Sequence, residues 1–400
     1  MKQVCIGCGA EFGLDERVYR CPKCGDILEI SFEPEELVEA SSGIRRDRPI
    51  SVWRYEPFIP IEEPEPVSMG EGGTRLIKCE SLGRELGLKE LYVKDEGGNP
   101  TGSFKDRGMT VGVTKALKLK VGRVVCASTG NTSSSLAAYA ARAGLECLVF
   151  IPKGKVALGK LAQAIAYGAR ILEVEGNFDQ ALELAFRLAE GDERFYLLNS
   201  INPFRLEGQK TLAFELVEQL GVPDRVIVPV GNAGNISAIW KGFKEFKVAG
   251  LIDRLPEMVG VQAEGACPVA RAFLSGKDEV EPLEYPETVA TAIRIGKPVN
   301  WKKALRAVRE SNGKMGIVSD EEILEAQSEL ARREGVFVEP ASASTIAMLK
   351  KMALNGEIER DEKVVCVATG NGLKDTNVVL SRYKGVALEP VLESVYRVLA

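Results

Sequence analysis

Short runs of β-branched and aliphatic residues, each followed by a longer amphipathic stretch, recur along this chain from Leu91 onward. Val124 to Cys126, Leu148 to Ile151, Val226 to Val228 and Val364 to Cys366 are continuously apolar, as strands covered on both faces must be. Phe178 to Ala189, Leu206 to Leu220 and Asp320 to Glu334 carry a helical period between them. Parallel neighbours need a crossover between them, so the alternation predicts an α/β fold with parallel sheets. At 400 residues the chain is long enough to divide into two or three domains. Three of the strands share one layout. A basic residue (Arg123, Arg225 or Lys363) opens an apolar run that ends in Gly130-Asn131, Gly231-Asn232 or Gly370-Asn371. Ligands of open α/β sheets bind beyond the carboxyl ends of the strands, and glycine lets backbone approach them. Any one of these is an ordinary turn; three together point to one shared site.

Histidine is absent from the whole chain. That removes Ser-His-Asp and Cys-His nucleophile systems, paired-histidine metal sites and histidine general bases. Proton transfer, if there is any, must fall to Lys, Asp, Glu, Tyr, Cys or a cofactor. The net charge of −5 argues against nucleic acid and anionic membrane surfaces as partners. No apolar leader opens the chain, and no run approaches the roughly 20 apolar residues of a spanning helix. Nine cysteines, an odd number with several inside apolar runs, fit the reducing cytoplasm better than a disulfide framework.

Four of these cysteines stand apart. Cys5, Cys8, Cys21 and Cys24 form two Cys-x-x-Cys pairs twelve residues apart, each pair followed by a glycine. That spacing predicts a four-sulfur metal site in a ribbon over residues 1–30, holding structural Zn²⁺ with iron as the competitor. With four basic and five acidic side chains, the unit has no cationic stripe for nucleic acid. From Ser31 to Gly73 six prolines lie among acidic residues, and the expectation is an extended arm docked through Trp53, Tyr55 and Phe58.

Gly154 to Lys160 matches most of a phosphate-binding loop, but Leu161 stands where the magnesium-ligating hydroxyl belongs, so a loop leading into a helix near Leu158 is expected instead. No dinucleotide fingerprint follows any strand. Gly231, Asn232, Ala233, Gly234 and Asn235 lie between a strand and a helix. They would form either an anion cradle of backbone N–H groups or a plain glycine turn. Lys105 follows a Pro-Thr-Gly-Ser loop and Phe104, one turn into an expected helix. A helix N-terminus and an aromatic neighbour push an ammonium toward its neutral, nucleophilic form.

Residues 99–107, Asn-Pro-Thr-Gly-Ser-Phe-Lys-Asp-Arg, resemble the lysine motif of the pyridoxal-phosphate β-family, fold type II. Ser128 to Thr132, Gly231 to Asn235, Glu339-Pro340-Ala341 and Ala368 to Asn371 follow in that family's order. Within it the chain is most similar to the threonine synthases. This rests on Trp53-Arg54-Tyr55, Gly70 to Thr74, Asn199 to Lys210 and Thr291 to Pro298. The resemblance spans about residues 50–380.

The resemblance implies two open, twisted parallel-sheet lobes with pyridoxal 5'-phosphate in the cleft between them. Residues 31–95 would be the arm and the start of the large lobe, 96–199 a small mobile lobe, and 200–400 the rest of the large lobe. Lys105 would hold the cofactor aldehyde as a Schiff base and then shuttle protons. Asn131 would meet the ring's 3-hydroxyl, Phe104 would lie by the ring, Gly231 to Asn235 would cradle the phosphate, and Thr369 would face the pyridine nitrogen. Ser128, Thr129, Thr132, Asn199, Ser200 and Arg205 would hold the phosphate of a phosphorylated amino-acid substrate. The implied reaction converts O-phospho-L-homoserine and water to L-threonine and phosphate, in a homodimer. Cysteate synthesis from phosphoserine and sulfite is the competitor within the family. A binding protein on a retired enzyme scaffold is the competitor outside it. Two positions depart from the family pattern: Asn371 stands where a histidine is common, and Arg75 where a proline is common.

Overall fold

The computed structural model describes residues 1–62, 65–154, 161–382 and 384–399. The Gly154 to Lys160 segment therefore falls, except for Gly154, outside the described residues. Three sheets organise the molecule. Strands β1 (Lys2–Cys5), β2 (Glu11–Phe12) and β3 (Leu28–Ser31) form an antiparallel N-terminal ribbon in the order β2-β1-β3. Strands β6 (Arg123–Ala127), β7 (Glu146–Pro152), β8 (Arg170–Val174) and β9 (Phe195–Leu197) make a wholly parallel sheet in the order β8-β7-β6-β9. The third sheet runs β12-β11-β10-β13-β5-β4. Its members are β4 (Arg75–Lys78), β5 (Glu90–Asp95), β10 (Arg225–Pro229), β11 (Glu257–Ala263), β12 (Lys314–Val318) and β13 (Lys363–Ala368). All its pairings are parallel except β4 with β5, an antiparallel edge that the parallel reading did not anticipate. The four apolar runs singled out above are β6, β7, β10 and β13, and their core positions are fully buried.

Two stretches differ from expectation for local reasons. The proline-rich arm is partly helical. Pro34 opens the helix Pro34–Ser42 at a position that needs no donor, Glu33 and Glu36 close a reciprocal cap, and a 3₁₀ helix covers Val52–Phe58. Docking of the arm does follow its aromatics: Trp53, Tyr55 and Phe58 are buried, and Tyr55 and Phe58 pack on Phe214 and Phe246. The expected helix Leu206 to Leu220 is two helices, Pro203–Gln209 and Thr211–Leu220, broken at Lys210. Lys210 turns inward there to pair with Glu207 at 2.6 Å and Glu245 at 2.7 Å.

The ribbon is not a free appendage. Tyr19 accepts a hydrogen bond from the Leu197 N–H of β9 at 2.8 Å, and Asp15 pairs with Lys115 at 2.6 Å. On the other side Lys303 donates to the Leu28 carbonyl and Lys241 to that of Ile30, both at 2.7 Å. It thus touches the elements around both parallel sheets.

Between those sheets lies a fully buried cluster of two cations and two anions: Lys94, Arg107, Glu96 and Glu215. Arg107 reaches Glu96 Oε2 and Glu215 Oε1 at 2.6 Å each, and also Thr74 and Thr211. Lys94 Nζ donates to Glu215 and to the Thr74 carbonyl at 2.8 Å. Burial alone would raise the Glu215 carboxyl, but Arg107 and Lys94 outweigh it and hold it down at about 2. Taking one partner from such a buried set costs roughly 3–5 kcal/mol, so the four groups act as a unit. No helix among the described residues is long and apolar enough to cross a membrane.

Candidate active site

Lys105 opens the helix Lys105–Lys118 at its first residue, with Phe104 as N-cap, rather than one turn inside it. The loop before it is stitched to the end of β13. Phe104 N–H donates to the Thr369 carbonyl at 3.0 Å, and Asn371 N–H to that of Gly102 at 2.9 Å. Lys105 Nζ lies 4.1 Å from the centre of the Phe104 ring.

The helix Pro203–Gln209 crosses this one at backbone contact, because glycines line the crossing. A Cβ on Gly208 would fall 1.7 Å from the Arg107 carbonyl oxygen, and one on Gly108 2.7 Å from that of Arg205. The crossing sets Arg205 beside Lys105. Arg205 is buried, and its Nε and Nη1 find no hydrogen-bond partner among the described residues. Burial and this neighbouring cation together depress the Lys105 ammonium to about 7, only partly offset by the Glu339 carboxylate. Burial likewise lowers Arg205 to about 10. A buried guanidinium without a counter-charge is costly, and an anionic ligand is what would relieve it.

Asn131 opens the helix Asn131–Ala143 with its side chain across the cleft, donating to Glu339 Oε2 at 2.9 Å. Ser128, Thr129 and Thr132 are half-buried around the same turn, with Ser128 Oγ accepting the Gly130 N–H at 3.2 Å. Asn199 is committed elsewhere: it accepts from the Ala127 N–H at 2.9 Å and donates to the Ala127 carbonyl at 2.8 Å. The pair orients the end of β6 and leaves the second Nδ2 hydrogen of Asn199 for another acceptor. Ser200 offers its carbonyl to Asn300 Nδ2 at 3.0 Å.

The turn from Gly231 to Asn235 leads into the helix Gly234–Val248. Ala233 holds a left-handed φ of 65°, a strained state for a residue with a side chain. Gly231 is pressed on the 3₁₀ turn Thr291–Ile293, where a Cβ would meet Ile293 Cα at 3.1 Å. Asn235 is buried with neither its Nδ2 nor its Oδ1 partnered. Asn232 accepts from the Asn300 N–H at 3.1 Å. Strained small-residue backbone, a helix N-terminus and an unpaired amide are the features that an anion cradle would use. The third Gly-Asn turn differs from the other two: it runs into the 3₁₀ turn Gly372–Lys374, which Asn371 caps by accepting from the Leu373 N–H at 2.9 Å. Arg75, the other departure, pairs with Asp95 at 2.5 Å.

Asn300, unremarked in the sequence, and Glu339, noted there only as part of a family motif, take on a place in three dimensions. Asn300 ties the Ser200 loop to the Gly231 turn. Glu339, buried at the start of the helix Pro340–Leu354, lies between Asn131 and Thr369. A carboxylate between Val338 and Pro340, opening a helix in an apolar context, was the available signal. In the ribbon, the four cysteine sulfurs lie within 4.8 Å of one another, with Cys5 to Cys24 at 3.4 Å and Cys8 to Cys21 at 3.6 Å. Gly9 and Gly25, which follow the pairs, take φ values of 70° and 77°.

Residues 67–370 match the family of pyridoxal-phosphate dependent enzymes. Threonine synthase of Methanocaldococcus jannaschii is 59% identical over 95% of this chain and 94% of its own length. That of Methanosarcina acetivorans is 56% identical over 94% and 93%. Among solved structures, the processed form of threonine deaminase isoform 2 from Solanum lycopersicum superimposes with a TM-score of 0.68. It shares 21% identity and covers 90% of this chain and 97% of its own. Maize serine racemase gives 0.66 at 21% identity, over 92% and 98%. These structures share the fold.

The depressed Lys105 gives a test that needs no ligand. Modification of Lys105 by an amine-directed reagent, followed by peptide mass analysis against pH, should rise with a midpoint near 7. An unperturbed lysine titrates near 10.5, and a midpoint there would contradict the environment described.

Proposed function

The chain belongs to the threonine synthases within the family of pyridoxal-phosphate-dependent enzymes, and on that premise we propose that it converts O-phospho-L-homoserine and water to L-threonine and phosphate. The observation that carries the reading is the buried, unpaired Arg205 beside a lysine whose ammonium is depressed to about 7. An anion-hungry guanidinium next to a neutral amine suits a phosphorylated amino acid whose α-proton must be removed.

The residues present fit the cofactor. The strained Gly231 to Asn235 cradle, with its unpaired Asn235 amide, would take the cofactor phosphate. Asn131 would meet the ring's 3-hydroxyl, Thr369 its pyridine nitrogen, Phe104 would flank the ring, and Lys105 would hold its aldehyde carbon. When bound, pyridoxal phosphate supplies an electron sink that acidifies the substrate's α-proton. Lys105 Nζ, neutral in about half of the molecules at pH 7, takes the proton from the substrate α-carbon and serves the proton transfers that follow, which a chain without histidine requires. Arg205 clamps the substrate phosphate in two-pronged fashion, with Ser128, Thr129, Thr132 and Ser200 completing its shell. Asn199 acts by fixing the end of β6 beneath them. A small lobe over residues 96–199 would close over the substrate and exclude water.

The ribbon would hold one structural Zn²⁺. A tetrahedral four-sulfur site with Zn–S near ~2.3 Å needs sulfurs about 3.8 Å apart, close to the separations present. We place the protein in the cytoplasm, in line with its nine free thiols, and as a homodimer. Exposed Val379, Leu380, Leu392, Tyr396 and Leu399 give a second copy an apolar surface to cover.

Lys105→Ala should abolish the visible absorption of the reconstituted protein together with turnover. Arg205→Met should keep the absorption and raise KM for the phosphorylated substrate by roughly a hundredfold, the order expected for a lost charge-assisted clamp. Retained absorption in the first, or an unchanged KM in the second, would remove the assignment. Elemental analysis should find one zinc ion per chain. Chelation should lower the melting temperature while turnover persists at temperatures where the chain stays folded. A metal-free, folded protein without any turnover would count against a structural role.

A further inference from the structure

Glu339 has no part in the roles given above, yet its carboxyl sits between two groups that flank the cofactor ring in the reading just given. Its Oε2 accepts from Asn131 Nδ2 at 2.9 Å, and its Oε1 lies 3.2 Å from Thr369 Oγ1. Asn131 leads off the helix after β6 and Thr369 directly follows β13, so the carboxyl bridges elements of the two larger sheets. The surroundings are shaped around it. A Cβ on Gly370 would fall 2.7 Å from the carboxyl carbon, and the Glu339 N–H is tied to the Gly370 carbonyl at 3.0 Å. Among the described residues Thr369 Oγ1 has one other hydrogen-bond partner, Ser342 Oγ at 3.0 Å, which accepts the Gly370 N–H at 3.0 Å and donates to the Gly370 carbonyl at 3.3 Å.

A hydroxyl has a single proton to give. While Glu339 is ionised, Oε1 can only accept, and the Thr369 proton points at it. Once Oε1 carries a proton, the acid donates to Thr369 Oγ1, and the hydroxyl proton is free to point at a different acceptor. Oε2 accepts from Asn131 in both states. We propose that Glu339 is a positioning residue whose protonated carboxyl turns the Thr369 hydroxyl toward the pyridine nitrogen of the cofactor while holding Asn131 at the ring's other side. The proposal rests on the placement of Thr369 at that nitrogen.

The charged groups facing Glu339 are Lys105, at the start of its helix, and Lys374, in the turn Gly372–Lys374. Burial raises the carboxyl above its ordinary range. The bonds from Asn131 and Thr369 and the charges of Lys374 and Lys105 oppose that rise without cancelling it. Lys374 is engaged elsewhere, donating to the Thr101 carbonyl at 3.1 Å and to Gln163.

The test uses pyridoxal phosphate labelled with ¹⁵N in the ring, bound to the full-length protein. The ring resonance and the cofactor Kd are followed against pH, with the melting temperature of the cofactor-free protein as a check on folding. In the wild type the ring nitrogen should show a hydrogen-bonded, unprotonated shift that moves as pH rises and Glu339 ionises. Glu339→Gln presents an N–H to Thr369 and a carbonyl to Asn131, so it should bind cofactor as the wild type does, with a shift that stays flat over the same range. Glu339→Ala, or Glu339→Asp should the alanine variant not fold, should weaken cofactor binding about tenfold or more. A bound ring whose shift moves identically in wild type and Glu339→Gln would overturn the assignment. So would a Glu339→Gln protein that loses cofactor as badly as Glu339→Ala. A wild-type protein that leaves the label at its free-solution shift would overturn the cofactor placement itself, and the assignment with it.

Discussion

Arg107 ties the start of the helix Lys105–Lys118 to the helix Thr211–Leu220 and to the end of the arm. Its guanidinium, wholly buried, joins Glu96 beyond β5, Thr74 at the end of the arm, and Thr211 and Glu215 on the helix Thr211–Leu220. Two cations and two anions balance there, which makes burial of all four affordable only as a complete set. Because Arg107 lies two residues beyond Lys105, the same network fixes where the reactive amine sits. Lys105 thus inherits its position from a cluster of fully paired buried charges.

A second consequence follows from the glycine-lined crossing of the helices Lys105–Lys118 and Pro203–Gln209. Backbone-to-backbone approach at Gly208 and Gly108 brings Arg205 next to Lys105. One cluster of charges is fully compensated; the adjoining one, Arg205 with Lys105, is only partly compensated, by the Glu339 carboxyl. Burial and the neighbouring Arg205 cation together keep Lys105 partly neutral near pH 7, the state in which an amine accepts a proton.

The buried strands and the cysteine spacing were legible in the sequence because each rests on local signals: continuous apolar runs, and thiols three residues apart followed by glycine. The Gly231 to Asn235 turn was legible as a candidate cradle for the same reason. Other features depend on partners far along the chain. Pro34 looked like a helix breaker until its place at a first helical position, with Glu33 and Glu36 closing the cap, became visible. Asn199 reads in the sequence as a substrate donor; folding adds a second task, since its amide also ties the backbone of Ala127 beside the β6–β9 pairing. Glu339 gains its neighbours Asn131 and Thr369 only when the two parallel sheets meet. The absence of histidine, an exclusion at first, is now matched by a lysine environment that supplies a base near neutral pH.

The central claim is that Lys105 and Arg205 together process a phosphorylated amino acid by releasing phosphate from one carbon and leaving a hydroxyl on its neighbour. Purified protein reconstituted with pyridoxal phosphate and supplied with O-phospho-L-homoserine tests it most directly, with phosphate and L-threonine quantified in the same reaction. The account predicts equal amounts of the two products, and no product from O-phosphoserine with sulfite. Release of phosphate without threonine, or turnover confined to phosphoserine and sulfite, would contradict it.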